Sequence, residues 1–140
     1  PGRSPRASRC GVVAVDTDVV VRLVTQDHPA QSARAVAVFR SDRVRIAKTV
    51  LLETAWVLSY AYGLDGKAIA RVLRGLAGLP NVELEDERAV AEALGALERG
   101  LDFADALHLA SRGDAERFVT FDRRLARRAA AVVPVKVELP

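Results

Sequence analysis

The stretch Val12-Val13-Ala14-Val15-Asp16 decides how the rest of the sequence is interpreted. Four consecutive apolar residues without polar alternation are typical of a strand buried on both faces, as in a parallel sheet. A carboxylate directly after such a strand lies at the carboxyl edge of the sheet, where open α/β proteins bind their ligands. We therefore predict a buried first strand, a parallel α/β fold and a functional role for Asp16.

Beyond this strand, apolar patterns of strand type and of helix type alternate along the chain. Strands are predicted at 12–15, 43–47, 82–85, 118–120 and 135–137, and helices up to residue 25 and at 29–40, 49–62, 66–79, 86–99, 102–112 and 122–131. Gly63 and Gly100 are placed to end two of these helices. Alternating strands and helices favour a parallel sheet with helices on both faces, a three-layer α/β/α sandwich.

Composition indicates one ordinary domain and gives no evidence of nucleic-acid binding. The chain has 140 residues, half of them apolar, which is enough to bury a normal core. Its net charge of +3 depends on Arg3, Arg6 and Arg9. Without these three, the remaining 18 basic residues balance the 18 acidic ones, so overall charge does not indicate a nucleic-acid partner.

The single cysteine, Cys10, excludes an intrachain disulfide and a cysteine-based metal site, so a reducing cytoplasm is the expected location. No apolar run reaches the 18 residues of a membrane span, and we expect no membrane association. The first residues are rich in Pro, Arg and Ser and do not begin with Met. We interpret 1–11 as a flexible extension or a cloning remnant and 12–140 as the single domain.

Four carboxylates are the candidates for catalysis: Asp16, Glu53, Asp105 and Asp122. Three of them fall where an apolar strand or loop meets the start of a helix, and Glu53 lies within a helix that is apolar nearly all round. Two unit charges about 4 Å apart repel by roughly 4 kcal/mol at an effective dielectric of about 20, so a pocket of four requires a cation. Mg²⁺ or Mn²⁺ fits oxygen ligands and suits phosphoryl chemistry.

Each acid also has a purely structural interpretation. Asp16 and Asp122 are suitable helix N-caps, and Glu53 could be a buried partner of an arginine. Asp102 and Asp105 have the spacing of a capping arrangement, in which the first residue caps the helix. We therefore assign the cap to Asp102 and keep Asp105 as the metal ligand. The weaker candidates are His108, His28, and the basic stretch of Arg123, Arg124, Arg127 and Arg128, which is either a solvated helix face or a phosphate contact.

Taken together, these motifs resemble the PIN-domain family, specifically the VapC-type toxins of bacterial type II toxin–antitoxin systems. The resemblance spans residues 12–138 and rests on four segments. They are VDTDVVVRL at 15–23, LET at 52–54, DFADAL at 102–107 and TFDR at 120–123. Asp18 is a departure, because these toxins usually have Asn there, and it predicts a more acidic site.

The resemblance implies a twisted parallel five-stranded sheet in a single PIN-like nuclease domain. It also implies a Mg²⁺- or Mn²⁺-dependent endoribonuclease that acts as a toxin, a cognate VapB-type antitoxin and a homodimer. In that site Asp16 and Asp105 are expected to bind metal directly and Asp122 directly or through water. Glu53 is expected to bind metal or to position the attacking water, with Thr120 and Asp18 adjusting the surroundings.

Two other functions stay open at this stage. Asp16 followed by Thr17 and Asp18 also resembles the nucleophile motif of haloacid-dehalogenase-like phosphatases, although no later lysine motif follows. A non-catalytic RNA-binding regulator is the second alternative. For the antitoxin, we expect a cationic side chain directed to the acids. The early-helix residues Val20, Leu23 and Val24 either line the docking groove or belong to the core.

Overall fold

The computed structural model describes residues 11–140, so the predicted extension lies outside the described residues except for Gly11. Strands and helices alternate in the predicted order. The strands are β1 (Val12–Ala14), β2 (Arg43–Ile46), β3 (Val82–Leu84), β4 (Arg117–Val119) and β5 (Lys136–Glu138), and the helices are α1 (Thr17–Thr25), α2 (Pro29–Ser41), α3 (Lys48–Tyr60), α4 (Gly66–Ala77), α5 (Glu87–Glu98), α6 (Phe103–Ala110) and α7 (Arg123–Ala129). The predicted α/β class is confirmed.

The strands form two parallel sheets, which differs from the single five-stranded sheet we expected. Within residues 11–140, one sheet has the order β1-β2-β3 and the other pairs β4 with β5. Val13 lies opposite Val44, and Phe118 lies opposite Val137. β1 and β4 are three residues long and form hydrogen-bonded ladders on one side only, so each is an edge strand.

The prediction of a fully buried first strand was therefore wrong. Val12 and Ala14 are exposed and Val13 is half-buried. An edge strand has no neighbouring strand along one side, which leaves its side chains more accessible than those of a central strand. The central strand of this sheet is β2, in which Val44 and Ile46 are fully buried.

The core lies between β2 and the helices, and the early helix α1 contributes to it. Val20 is 0 % exposed and belongs to the core. Leu23 and Val24 are half-buried and pack against the core. The prediction that Val20 lines a docking groove was wrong, because a side chain with no accessible surface cannot contact a partner.

Aspartates begin most of the helices. The carboxylates of Asp16, Asp65, Asp86, Asp102 and Asp122 each accept a hydrogen bond from a backbone N–H at the start of their helix. His28, one of the weaker site candidates, is exposed and caps α2 through Nδ1. Gly63 and Gly100 follow α3 and α5 with positive φ angles, which confirms their predicted role in ending those helices.

Asn81 joins three parts of the fold just before β3. Its side-chain amide donates to the carbonyl oxygens of Phe39 and Asp42, the latter at 2.6 Å, and its own carbonyl accepts from the Val44 N–H at 2.8 Å. The amide therefore holds the end of α2 against the starts of β2 and β3. Truncation would leave two carbonyl oxygens without this donor.

We predict that Asn81→Ala lowers the free energy of unfolding by about 1–3 kcal/mol, because two partly buried carbonyl oxygens lose the amide that donates to them. Urea unfolding followed by circular dichroism measures this change. Glu116→Ala, at an exposed position in the loop before β4, is the control and should change stability by less than about 0.5 kcal/mol. Equal effects of the two changes would contradict the assigned role of Asn81.

Candidate active site

Asp16 follows β1 and caps α1, so the first strand places it at a helix start. Its Oδ1 accepts from the Thr17 N–H at 2.8 Å, and its side chain is exposed. The neighbouring Thr17 side chain is buried, and its hydroxyl donates to Glu53 Oε1 at 2.6 Å. The end of β1 and the middle of α3 are therefore joined by one short side-chain hydrogen bond.

Glu53 is exposed, contrary to our expectation of an acid enclosed in an apolar helix. The buried face of α3 consists of Leu51, Thr54, Ala55 and Leu58. The opposite side of the helix presents Glu53 together with the large aromatic residues Trp56 and Tyr60. Apolar composition all round the helix therefore did not mean burial all round, and Glu53 forms no ion pair with an arginine within residues 11–140.

Asp102 and Asp105 divide their roles at the start of α6. Asp102 is exposed and caps the helix, and its Oδ2 accepts from the Asp105 N–H at 3.3 Å. This confirms the predicted cap. Asp105 lies in the first turn and is half-buried, and its carboxylate forms no hydrogen bond or ion pair within residues 11–140.

The surroundings of Asp105 disfavour its ionised form. Burial is the largest cause, followed by the negative charges of Asp102 and Asp122, and together they raise the pKa of the Asp105 carboxyl above its ordinary value. The positive charge of His108, one turn further along α6, offsets part of this effect. Asp122, which comes from a different part of the chain, thus acts on the Asp105 carboxyl electrostatically.

Asp122 is held rigidly between β4 and α7. Its Oδ1 accepts from the N–H groups of Arg124 and Leu125, both at 3.0 Å. Its own N–H donates to Thr120 Oγ1 at 3.0 Å. The predicted supporting role of Thr120 therefore has a structural basis, since its hydroxyl fixes the backbone from which the Asp122 side chain projects.

The acids form two neighbouring groups in the fold: Asp16 and Glu53 joined by Thr17, and Asp105 with Asp102 and Asp122. Glu53 of the first group and Asp102 of the second line one cavity of about 990 Å³. No set of three or more His, Cys, Asp or Glu side chains in the described part of the chain is close enough to hold a metal ion. The predicted four-acid metal site is therefore not assembled as one cluster.

The donor chemistry nevertheless fits a hard divalent cation. The candidate ligands are carboxylates, which are the oxygen donors that Mg²⁺ and Mn²⁺ prefer. Asp16 and Asp122 use Oδ1 for capping, so Oδ2 of each is free of protein hydrogen bonds within residues 11–140. Burial and the charges of Asp102 and Asp122 raise the pKa of Asp105, and a bound cation would stabilise its ionised form.

Asp18 belongs to a different part of the surface. It is exposed in the first turn of α1 and lines a separate cavity of about 280 Å³ with Arg22, Gln31 and Arg34. A capping residue and the residue two positions later in the first turn point to different sides of a helix. This placement separates Asp18 from the cavity that Glu53 and Asp102 share.

Thr17 is the functional candidate that the sequence analysis did not identify. Its hydroxyl is the group that orients Glu53, yet a threonine between two aspartates at a helix start looks like ordinary capping sequence. The signal in the sequence was the type and position of Thr17. A small hydroxyl residue directly after a candidate catalytic acid can donate to a second acid. Long-range partners of this kind are not visible in local sequence patterns.

Comparison with known proteins agrees with the α/β fold of the chain. A family model described as PIN domain matches residues 13–131, which is most of the chain. PIN domains are generally metal-dependent nucleases. No curated protein sequence matches the chain.

Among the described residues, none of the helices has the length and apolar character needed to cross a membrane.

We predict that Asp105→Asn stabilises the metal-free protein at pH 7, because it removes a partly buried charge near two other carboxylates. Since the pKa is raised in the folded state, the ionised form opposes folding, and that loss of stability develops as pH rises through the folded pKa. Thermal unfolding in chelator should show a Tm higher by roughly 2 °C at pH 7 and a smaller difference towards pH 4.

The matched control is Asp114→Asn, in an exposed turn and without a hydrogen bond or ion pair within the described residues. It should leave Tm nearly unchanged at both pH values. A lower Tm for Asp105→Asn at pH 7 would show that the Asp105 carboxylate makes a stabilising contact instead of experiencing repulsion.

Proposed function

We propose that this protein, which belongs to the PIN-domain family, is a divalent-metal-dependent endoribonuclease that acts as the toxin of a toxin–antitoxin pair. It hydrolyses RNA phosphodiester bonds with a water molecule as the nucleophile. Asp16, Glu53, Asp105 and Asp122 are its catalytic acids. The strongest support is that Asp105 lies near the negative charges of Asp102 and Asp122 and forms no ion pair within residues 11–140.

Ion pairs are common elsewhere on this protein, which makes their absence at the acids informative. Glu83 pairs with Arg43 and Arg45, and Glu98 pairs with Arg74. Within residues 11–140 the acids of the candidate site, Asp16, Glu53, Asp102, Asp105 and Asp122, form no ion pair. Such a site stays available to an external cation, and a carboxyl with a raised pKa, such as Asp105, is typical of functional sites.

Asp16, Asp105 and Asp122 are the residues that would hold Mg²⁺ or Mn²⁺, with Glu53 as a further ligand or as the group that positions water. A bound divalent ion supplies a water of lowered pKa and neutralises charge on the phosphate oxygens. The remaining contributions come from the chain itself. Helix capping fixes Asp16 and Asp122, and the Thr17 hydroxyl fixes one oxygen of Glu53 and leaves the other for water.

Cationic side chains near the acids provide contacts for the RNA backbone. Arg128 of α7 lines the cavity that also contains Glu53 and Asp102. The four arginines of α7 are exposed and form no ion pair within the described part of the chain. Free guanidinium groups of this kind bind phosphate oxygens in a bidentate manner, so α7 is the proposed backbone contact.

The toxin assignment rests on the similarity of the four acidic segments to VapC-type toxins. It includes inhibition by a VapB-type antitoxin, a homodimeric state and a cytoplasmic location, which suits both an RNA substrate and a lone cysteine. An antitoxin residue with a positive charge would complement the acids when no metal is bound. Membership of the PIN-domain family leaves the phosphatase alternative without support. A cleavage assay distinguishes our proposal from the non-catalytic regulator.

The first test is RNA cleavage by purified protein. We expect total cellular RNA to be cut in Mg²⁺ or Mn²⁺ and to stay intact in excess chelator. Asp105→Asn should reduce the rate by roughly 100-fold or more, because it removes a direct ligand. Asp102→Asn should keep most of the activity, since Asn is an equally good N-cap.

The two aspartate variants also control for each other and for contaminating nucleases, because they are purified in the same way. Undiminished cleavage in chelator, or equal loss of activity in both variants at unchanged Tm, would contradict the assigned roles. In cells, induced expression of the parent chain should arrest growth and Asp105→Asn should not. RNA binding without turnover under all metal conditions would favour the non-catalytic regulator.

A second test addresses the hydrogen bond from Thr17 to Glu53. Thr17→Val keeps the buried shape but removes the donor, so Glu53 loses its fixed orientation. We expect kcat to fall by roughly 10- to 100-fold with little change in KM, because misplacement of a catalytic group affects the chemical step. Thr17→Ser retains the hydroxyl and should recover most of the rate. A variant Thr17→Val with parental kcat would show that Glu53 needs no such support.

A further inference from the structure

Two large aromatic side chains of α3 are exposed and stacked on each other. The rings of Trp56 and Tyr60 have centroids 5.0 Å apart and planes inclined by 7°. Trp56 is 61 % exposed and Tyr60 is 77 % exposed. Large aromatic side chains usually lie in cores and interfaces, so a solvent-exposed stack marks a surface suited to binding.

This stack lies on the same side of α3 as Glu53. Trp56 is three residues after Glu53 and Tyr60 is seven residues after it, and these spacings place all three on one face of a helix. Trp56 and Glu53 line the cavity of about 990 Å³ that also contains Asp102. The aromatic stack therefore continues directly from the acids of the candidate active site.

Cations complete the surroundings of the stack. Lys67 and Arg128 line the same cavity, and neither side chain forms a hydrogen bond or ion pair with residues of the described range. Glu98 also lines the cavity, but its carboxylate is neutralised by two hydrogen bonds from Arg74, at 2.7 and 2.8 Å. The cavity thus has two cations without an ion pair in the described range, Lys67 and Arg128, beside the carboxylates of Glu53, Asp65 and Asp102.

We propose that the Trp56–Tyr60 stack binds a nucleobase of single-stranded RNA next to the bond that is cut, with Lys67 and Arg128 contacting the adjoining phosphates. This inference rests on the proposed ribonuclease function. An aromatic face beside free cations is the arrangement by which proteins hold single strands, because every base has a π-face and every linkage has a phosphate. The stack therefore selects unpaired nucleotides with little preference for sequence.

A second copy of the chain is the competing occupant of this surface. In a two-fold symmetric contact both copies use the same surface patch, so the carboxylates of Glu53 and Asp102 from both copies would be enclosed in one interface. Repulsion between these carboxylates disfavours that contact, whereas the free Lys67 and Arg128 favour an anionic ligand. The observed charges thus fit RNA better than a second copy.

Trp56 is the only tryptophan of the chain, so its fluorescence reports directly on this surface. The probe is a short single-stranded oligoribonucleotide, titrated into full-length Asp105→Asn protein in chelator so that no cleavage occurs. We expect saturable quenching of Trp56. The same sequence in a duplex, or with abasic nucleotides in place of the bases, should quench much less, because it offers no unpaired base for stacking.

Substitutions at Trp56 separate stacking from simple apolar contact. Trp56→Leu should weaken binding of the oligoribonucleotide by roughly 5- to 100-fold, measured by fluorescence anisotropy of a labelled strand. Trp56→Phe keeps an aromatic face and should recover most of the affinity. Abasic nucleotides should no longer weaken binding to Trp56→Leu, since the stacking partner is already absent. In the active background, Trp56→Leu should raise KM more than it lowers kcat.

The control is Leu79→Ala, an exposed apolar side chain that lines a different cavity and should leave RNA affinity unchanged. Parental RNA affinity in Trp56→Leu would overturn the inference. It would also be overturned if Trp56→Leu changed the mass in sedimentation without affecting RNA binding, because the stack would then contact a second copy. Quenching and affinity loss without any cleavage by the metal-loaded parent would support the stacking site and refute the nuclease proposal.

Discussion

Repulsion between carboxylates is the constraint on which the candidate site depends. Asp16, Asp102 and Asp122 are acids in a protein that supplies no cation to them from residues 11–140. The fold tolerates them because each lies at the start of a helix, where backbone N–H groups and the helix dipole stabilise negative charge. Helix capping thus holds the acids in place without neutralising them, which keeps them available to a metal ion.

Asp105 and Glu53 show what happens when capping is not available. Asp105 lies inside the first turn of α6 and has no hydrogen-bond donor of its own in the described structure. Burial, together with the charges of Asp102 and Asp122, raises the pKa of its carboxyl. Glu53 lies in the middle of α3, and a side chain of another element, Thr17, supplies its donor. An acid at such a position reduces the stability of the fold, as is common where active sites concentrate like charges.

The features that depend on local sequence were predictable. Aspartates before helices, glycines after them and the alternation of element types all act within a few residues, and the predicted cap at Asp102 is an example. The division into two sheets was not predictable in this way, because the pairing of β1 depends on residues far away in the chain. The exposure of Glu53 was missed for a related reason, since a helix apolar on all sides does not reveal which side packs.

Helix α3 links the core to the candidate site, because its two faces have different partners. Leu51 and Leu58 anchor it in the core, so its position is set by packing that does not involve the site. Its exposed face then presents Glu53 and Trp56 in a fixed relation, one turn apart on a rigid element. A catalytic acid and an aromatic contact on one helix cannot move independently of each other. A ligand held by Trp56 is consequently held at a constant distance along the helix from Glu53, and this coupling requires no loop closure.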